Sequence, residues 1–188
     1  MRQSDTGRSR LAAMSILIVY GTTEGHTRKI ADRTAQQAFR CGHEVSLLDS
    51  AQLPPGLNFH LYQAFIIAAS VHQQCHQETI TNFVAAHHQL LNTKPSAFIS
   101  VSLSAVLEHA KGDAERYVDT FVNATGWRPT RTLLLGGAFR ATEYDYFQQQ
   151  IVRLVTNPSG KANNELEGEF TDWSALEAFV DEFLVVAA

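Results

Sequence analysis

Ile16 to Tyr20 is an unbroken apolar run that stops in Gly21-Thr22-Thr23-Glu24-Gly25-His26-Thr27, after which apolar residues recur at helical spacing. A strand that ends in such a turn and enters a helix aims backbone N–H groups and the positive end of a helix dipole at one point. Two glycines and three threonine hydroxyls make that point an anion cradle suited to a phosphate. Neither G-x-x-x-x-G-K-[ST] nor G-x-G-x-x-G is present, so the turn is neither a P-loop nor a dinucleotide turn. No lysine stands in it. Neutral hydroxyls and amides suit a tightly held monophosphate rather than a triphosphate that travels with magnesium. The competing reading is a plain strand-to-helix turn with threonine as N-cap. A chain whose remainder also alternates strand and helix weighs against that reading.

At 188 residues the chain fits one domain with a substantial core. Apolar residues make up 45% and charged residues 18%, the balance of a soluble globule. The net charge of −4 and the lack of any Lys/Arg stripe argue against a nucleic-acid surface. Only Cys41 and Cys75 are present, with no signal-peptide pattern and no apolar run of membrane-spanning length. These features predict a cytoplasmic protein with at most peripheral contact with the inner membrane. Residues 1–13 are polar with three arginines, and read as a disordered extension or a misassigned start ahead of Met14-Ser15. The domain proper is expected over 14–188.

After the first strand, Ile30, Ala31, Ala35 and Ala38 give a helix over about 26–40 its apolar stripe, and Cys41-Gly42 supplies the stop. Strands are expected at 44–48, 64–69, 96–103 and 131–138. Between them, 53–56 and 70–77 read as loops and 78–91 as a helix. Asp113 is expected to cap a helix over 114–125 that Gly126 closes. Further helices are expected at about 144–155 and 172–186, separated by a polar stretch over 157–169. Alternating units of this length predict an α/β fold, a doubly wound five-stranded parallel sheet with strand order 2-1-3-4-5. Ligands of such sheets lie beyond the carboxyl ends of the strands at the switch point. Three loops should meet there: 21–27, 70–78 and 102 to about 108.

The first loop resembles that of the flavodoxins. Their signature is an apolar strand ending in an aromatic, a spacer, Ser or Thr, two variable residues, a small residue, one more variable residue, and Thr. Val19, Tyr20, Thr22, Gly25 and Thr27 fill those places in register. The resemblance covers the chain from Met14 onward and implies a flavodoxin-like fold with FMN as cofactor. Thr22, Thr23, Glu24, Gly25, His26 and Thr27 would then surround the phosphate, with the Glu24 carboxylate pointing outward. Ser70, Val71, His72 and Gln73, together with Ser102, Leu103 and Ser104, would flank the isoalloxazine ring.

Several phrases are similar to the flavodoxin-type protoporphyrinogen oxidases: Ala69-Ser70-Val71, Pro95-Ser96-Ala97-Phe98, Trp127-Arg128-Pro129, Gly136-Gly137-Ala138-Phe139-Arg140 and Thr171-Asp172-Trp173. That likeness implies an FMN-dependent oxidoreductase of heme biosynthesis, acting on a porphyrinogen-like small molecule with a quinone as acceptor. No catalytic side-chain acid or base is needed. In place of that family's glycine and aromatics after strand three, this chain has His72-Gln73-Gln74-Cys75-His76, and its loop after strand four is less basic. The alternative is a flavodoxin-type electron carrier serving a redox protein, and a third reading is a binding module without catalysis. Carriers ring their flavin with carboxylates, whereas Glu78 and Glu108 are almost the only ones in these two loops, which favours an enzyme.

The remaining groups read more plainly. His72, Cys75 and His76 lack a fourth ligand, so no metal site is expected. Cys75 is expected to be inert and His87-His88 to face solvent. Asp49 is not a ribose-binding acid in the absence of the dinucleotide glycines. Tyr144, Phe147, Ile151 and Leu154 recur at helical spacing, the pattern of a helix packed on the sheet. If the oxidase reading holds, part of the region from Phe139 to Phe170 also meets the quinone or the bilayer.

Overall fold

The computed structural model describes residues 12–107, 110–139 and 168–188. In chain order they form β1 (Ser15–Gly21), α1 (His26–Arg40), β2 (Glu44–Asp49), β3 (Ala64–His72), β4 (Cys75–His76), α2 (Glu78–Thr93), β5 (Ser96–Val101), α3 (Lys111–Thr125), β6 (Arg131–Leu135), β7 (Ala138–Phe139), β8 (Gly168–Glu169) and α4 (Trp173–Ala187). Short 3-10 turns occupy Phe59–Leu61 and Leu103–Val106. The expected helix over 144–155, most of the 157–169 stretch and residues 1–11 lie outside the described residues.

Five strands run parallel in the order β2-β1-β3-β5-β6, the doubly wound order expected from the sequence. Alternation along each strand sends side chains to two faces, and both faces are covered. Ile16, Ile18, Ile66 and Ile99 pack with Ile30 and Ala31 of α1 and with Leu176, Phe179 and Phe183 of α4. On the other face Leu17, Val19, Phe65, Ile67 and Phe98 pack with Ile80, Phe83 and Val84 of α2 and Phe121 of α3. Trp127, fully buried there, donates from Nε1 to the Ser96 hydroxyl at 3.0 Å. Covering both faces is why the runs Ile16–Tyr20 of β1 and Ala64–Ala69 of β3 are continuously apolar.

The structure departs from expectation at element ends. β3 does not stop at Ala69 but runs to His72 and turns back as β4, pairing Val71 with His76 and His72 with Cys75. Gln73 and Gln74 make the two-residue turn at φ 49° and 67°, the left-handed pair that suits the twist of a tight hairpin. β5 ends at Val101, and Ser102 caps the following 3-10 turn by accepting from Ala105 N at 3.2 Å. β6 ends at Leu135, and β7 pairs instead with β8 in a separate two-stranded sheet. Asp113 is not the cap of α3: the N-cap position is Ala110, and Asp113 sits in the first turn and pairs with Arg116 at 2.7 Å. His87 and His88 are half-buried rather than solvent-facing. His87 packs between Phe59 and Phe83, at 4.3 and 4.9 Å between ring centres, and burial lowers its pKa.

Candidate functional site

A cleft opens at the carboxyl ends of β1, β3 and β5, with about 420 Å³ of empty space counting its mouth. Thr22, Thr23, Glu24, His26 and Thr27 line it from the first loop, Ser70, Val71 and His72 from the end of β3, and Ser102 and Leu103 after β5. The three loops expected to meet therefore do meet. Gly25, Gln73 and Ser104 do not line the cleft. Gly25 is the exposed N-cap of α1, Gln73 sits at the exposed hairpin tip, and Ser104 lies inside the 3-10 turn. Glu24, expected to point outward, is half-buried on the lining. Val101, Gly137 and Ala138 complete the walls and were not expected there.

The polar chemistry of the first loop follows from its conformation. Gly25 at φ 82° takes the left-handed backbone that starts α1 without a side-chain cap, leaving the first-turn amides for an anion. The Thr22 hydroxyl accepts from Gly25 N at 2.9 Å. Gln77, at the N-cap of α2, donates through Nε2 to the Thr23 hydroxyl at 3.1 Å and also to the Ser70 hydroxyl. Each of these hydroxyl oxygens is thereby occupied as an acceptor, and its own proton is left to donate. Thr27 is buried, at 1% exposure, on the same wall. Among the described lining residues there is no lysine or arginine. Donors, a helix N-terminus and no cation match a monophosphate held by dipoles.

A second set of contacts ties this loop to the end of the chain. His26 Nε2 lies 2.7 Å from the Thr171 hydroxyl, which donates to the Gly136 carbonyl at 2.8 Å. Lys29 pairs with Glu169 at 2.5 Å, and Trp173 Nε1 donates to the same carboxylate at 2.7 Å. The hydrogen bond from Lys29, with that from Trp173, holds the Glu169 pKa below the usual carboxylate range. Gly136 is pinched between the 3-10 turn and the segment after β8. An added Cβ would stand 2.3 Å from the Phe170 carbonyl oxygen and 2.5 Å from Val106 Cγ1. This close packing carries Gly137 and Ala138 into the cleft wall. The only sequence signals for it were the Gly136-Gly137-Ala138 and Thr171-Asp172-Trp173 phrases.

The hairpin's outer residues face another surface. His76 is buried, its Nε2 3.0 Å from the Ser100 hydroxyl, while Cys75 is an exposed free thiol. No group of three or more His, Cys, Asp or Glu suited to a metal occurs among the described residues. Nor, among them, is any helix long and apolar enough to cross a membrane.

Comparison with known proteins agrees with this geometry. The chain is 28% identical over 176 residues to a protoporphyrinogen IX dehydrogenase [quinone] of Leishmania major, spanning 89% of this chain and 73% of that one. It is 28% identical over 171 residues to the Escherichia coli K12 protein of the same name, spanning 90% and 94%. Among solved structures, oxidised flavodoxin 1 of Bacillus cereus superposes with a TM-score of 0.59 at 15% identity, covering 93% of this chain and 99% of that one. A short-chain flavodoxin associated with a bacterial microcompartment gives 0.59 at 12% identity, with the same coverage. The flavodoxin-domain family model matches residues 17–165, and with the sheet order and the cleft at its switch point, the chain belongs to the flavodoxin-domain family.

Proposed function

We propose that this protein is an FMN-dependent dehydrogenase that oxidises a porphyrinogen-like small molecule and passes the electrons to a quinone. The observation that carries the reading is the donor cradle at the start of α1, with no Lys or Arg among the described lining residues, opening into a cleft with Val71, Leu103 and Ala138 on its walls. Thr22, Thr23, Thr27 and the first-turn amides of α1 are the groups that would hold the phosphate. Val71, His72, Ser102 and Leu103 are those that would border the ring. Bound there, FMN supplies the hydride acceptor, and the protein's part is to orient and tune it. The likeness in sequence to dehydrogenases named for protoporphyrinogen and quinone supports the substrate and the acceptor.

Two measurements test this reading. Ligand released by heat from the purified protein should run as FMN on chromatography, and recovery of FAD alone overturns the cofactor. Stopped-flow reoxidation of the reduced protein should be faster with a soluble quinone analogue than without it. An equal rate favours a flavodoxin-type carrier that serves a redox protein.

A further inference from the structure

Across the β3–β4 hairpin from the cleft lies a second concavity, about 610 Å³ counting its open mouth, between β4, the first turn of α2 and the outer face of α3. Its lining includes Cys75, His76, Glu78, Tyr117, Phe121 and Ala124. The floor is aromatic. Phe121 stacks on Phe98 at 4.8 Å and 19°, and the His76 ring stands edge-on to Phe121 at 4.9 Å. His76 is only 8% exposed, and with Nε2 at the Ser100 hydroxyl, Nδ1 is the ring's remaining polar atom.

We propose that this groove binds the ring of a neutral quinone, at a place distinct from the cleft that would hold the flavin. The proposal rests on the reading of the protein as a quinone-linked dehydrogenase. The lining also carries Gln74, Thr81 and Thr120, yet most of its surface is apolar, as in small-molecule sites generally. Phe121 is only 3% exposed, and the half-buried Tyr117 is the ring on which a planar ligand can stack. With Nε2 accepting from the Ser100 hydroxyl, the His76 ring on this lining has Nδ1 as its donor, which suits one carbonyl oxygen. Burial lowers the His76 pKa to about 4, so the imidazole is uncharged at neutral pH. The carboxylate of Glu78 is the acid on the described lining, with no Lys or Arg beside it. Those charges disfavour a carboxylated substrate and leave a neutral quinone as the better match. Position supports it too, because the same two-rung ladder carries His72 on the cleft and Cys75 and His76 on the groove.

Trp127 reports on this floor, with its ring 6.4 Å from Phe121 between centroids. The test uses the full-length, FMN-loaded, oxidised protein with Trp173→Phe, which leaves Trp127 as the sole tryptophan, titrated with menadione. Saturable quenching is expected. Ala124→Phe and Thr120→Phe, which place a ring in the groove from exposed positions on α3, should each weaken the apparent affinity at least tenfold and leave FMN affinity unchanged. The same variants should raise the KM for menadione. Quenching that does not saturate, or that neither variant alters, overturns the site. The two readings fail separately: saturable, variant-sensitive quenching without quinone reduction upholds the groove and removes the dehydrogenase reading. Quinone reduction with a KM that both variants leave unchanged removes the groove alone.

Discussion

The Thr171 hydroxyl sits between His26 and the Gly136 carbonyl, accepting from Nε2 at 2.7 Å and donating at 2.8 Å. One side chain thus joins the first turn of α1, the exit of β6 and the start of α4. Replacing it by valine keeps the shape and removes both bonds. Each is worth about 0.5–1.5 kcal/mol, with a further penalty if a partner is left unpaired. Urea unfolding of Thr171→Val should show a loss of about 1–3 kcal/mol, together with weaker FMN binding as Gly137 and Ala138 lose support. Unchanged values for both would show that the junction is not needed.

Two glycine-to-alanine changes separate space from backbone conformation. At Gly136 a methyl group meets the Phe170 carbonyl and Val106 at clashing distance, and relieving such overpacking costs about 1–3 kcal/mol or more. At Gly25 nothing lies within 4 Å, but φ is +82°, and the left-handed conformation costs an alanine about 1–2 kcal/mol. Thermal unfolding should place Gly136→Ala below Gly25→Ala. In FMN titrations Gly25→Ala should show the larger loss relative to its destabilisation, because it distorts the cradle itself.

Thr27 should matter more to FMN than His72. Its hydroxyl lies at the start of α1 on the cleft wall, and losing a hydrogen bond to a charged group costs about 1.5–3 kcal/mol, or roughly ten- to a hundredfold in affinity. Titrating FMN into Thr27→Ala and His72→Ala apoproteins compares them directly. An equal or smaller loss at Thr27 contradicts the assignment of the phosphate to this loop.

Acid should destabilise the fold through buried histidines. Burial lowers the pKa of His76 to about 4 and also lowers that of His43. His43 accepts from Met14 N at 3.2 Å through Nδ1, which protonation would abolish. The unfolded chain takes up these protons near pH 6.5 while the native state resists, so stability falls as pH drops through 6.5 and levels off near 4 for His76. For His76 that amounts to about 3 kcal/mol at most. Urea midpoints measured from pH 7.5 to 4.5 should decline, and His76→Asn should reduce the slope. A flat profile in the unsubstituted protein would contradict this.

What the sequence made legible was local. The turn over 21–27 and the bounds of α1 could be read because glycine, threonine and the apolar stripe stand side by side, and β1 and β3 because burial on both faces leaves Ile16–Tyr20 and Ala64–Ala69 apolar throughout. The hairpin at 72–75 was hidden. Its turn uses two glutamines at positive φ, without the Asn-Gly or Asp-Gly that usually marks such turns. The Gly137–Ala138 wall was hidden too, since it depends on pairing with β8 and on a His26–Thr171 contact spanning 145 residues. Gln77, which bridges Thr23 and Ser70, reads in sequence as one polar loop residue among several.

The most direct test is anaerobic. The FMN-loaded protein is mixed with protoporphyrinogen, the flavin absorbance is followed, and a soluble quinone is then added. The account predicts that the porphyrinogen bleaches the flavin with formation of protoporphyrin, and that the quinone restores the colour. A flavin that dithionite reduces but protoporphyrinogen does not would contradict it.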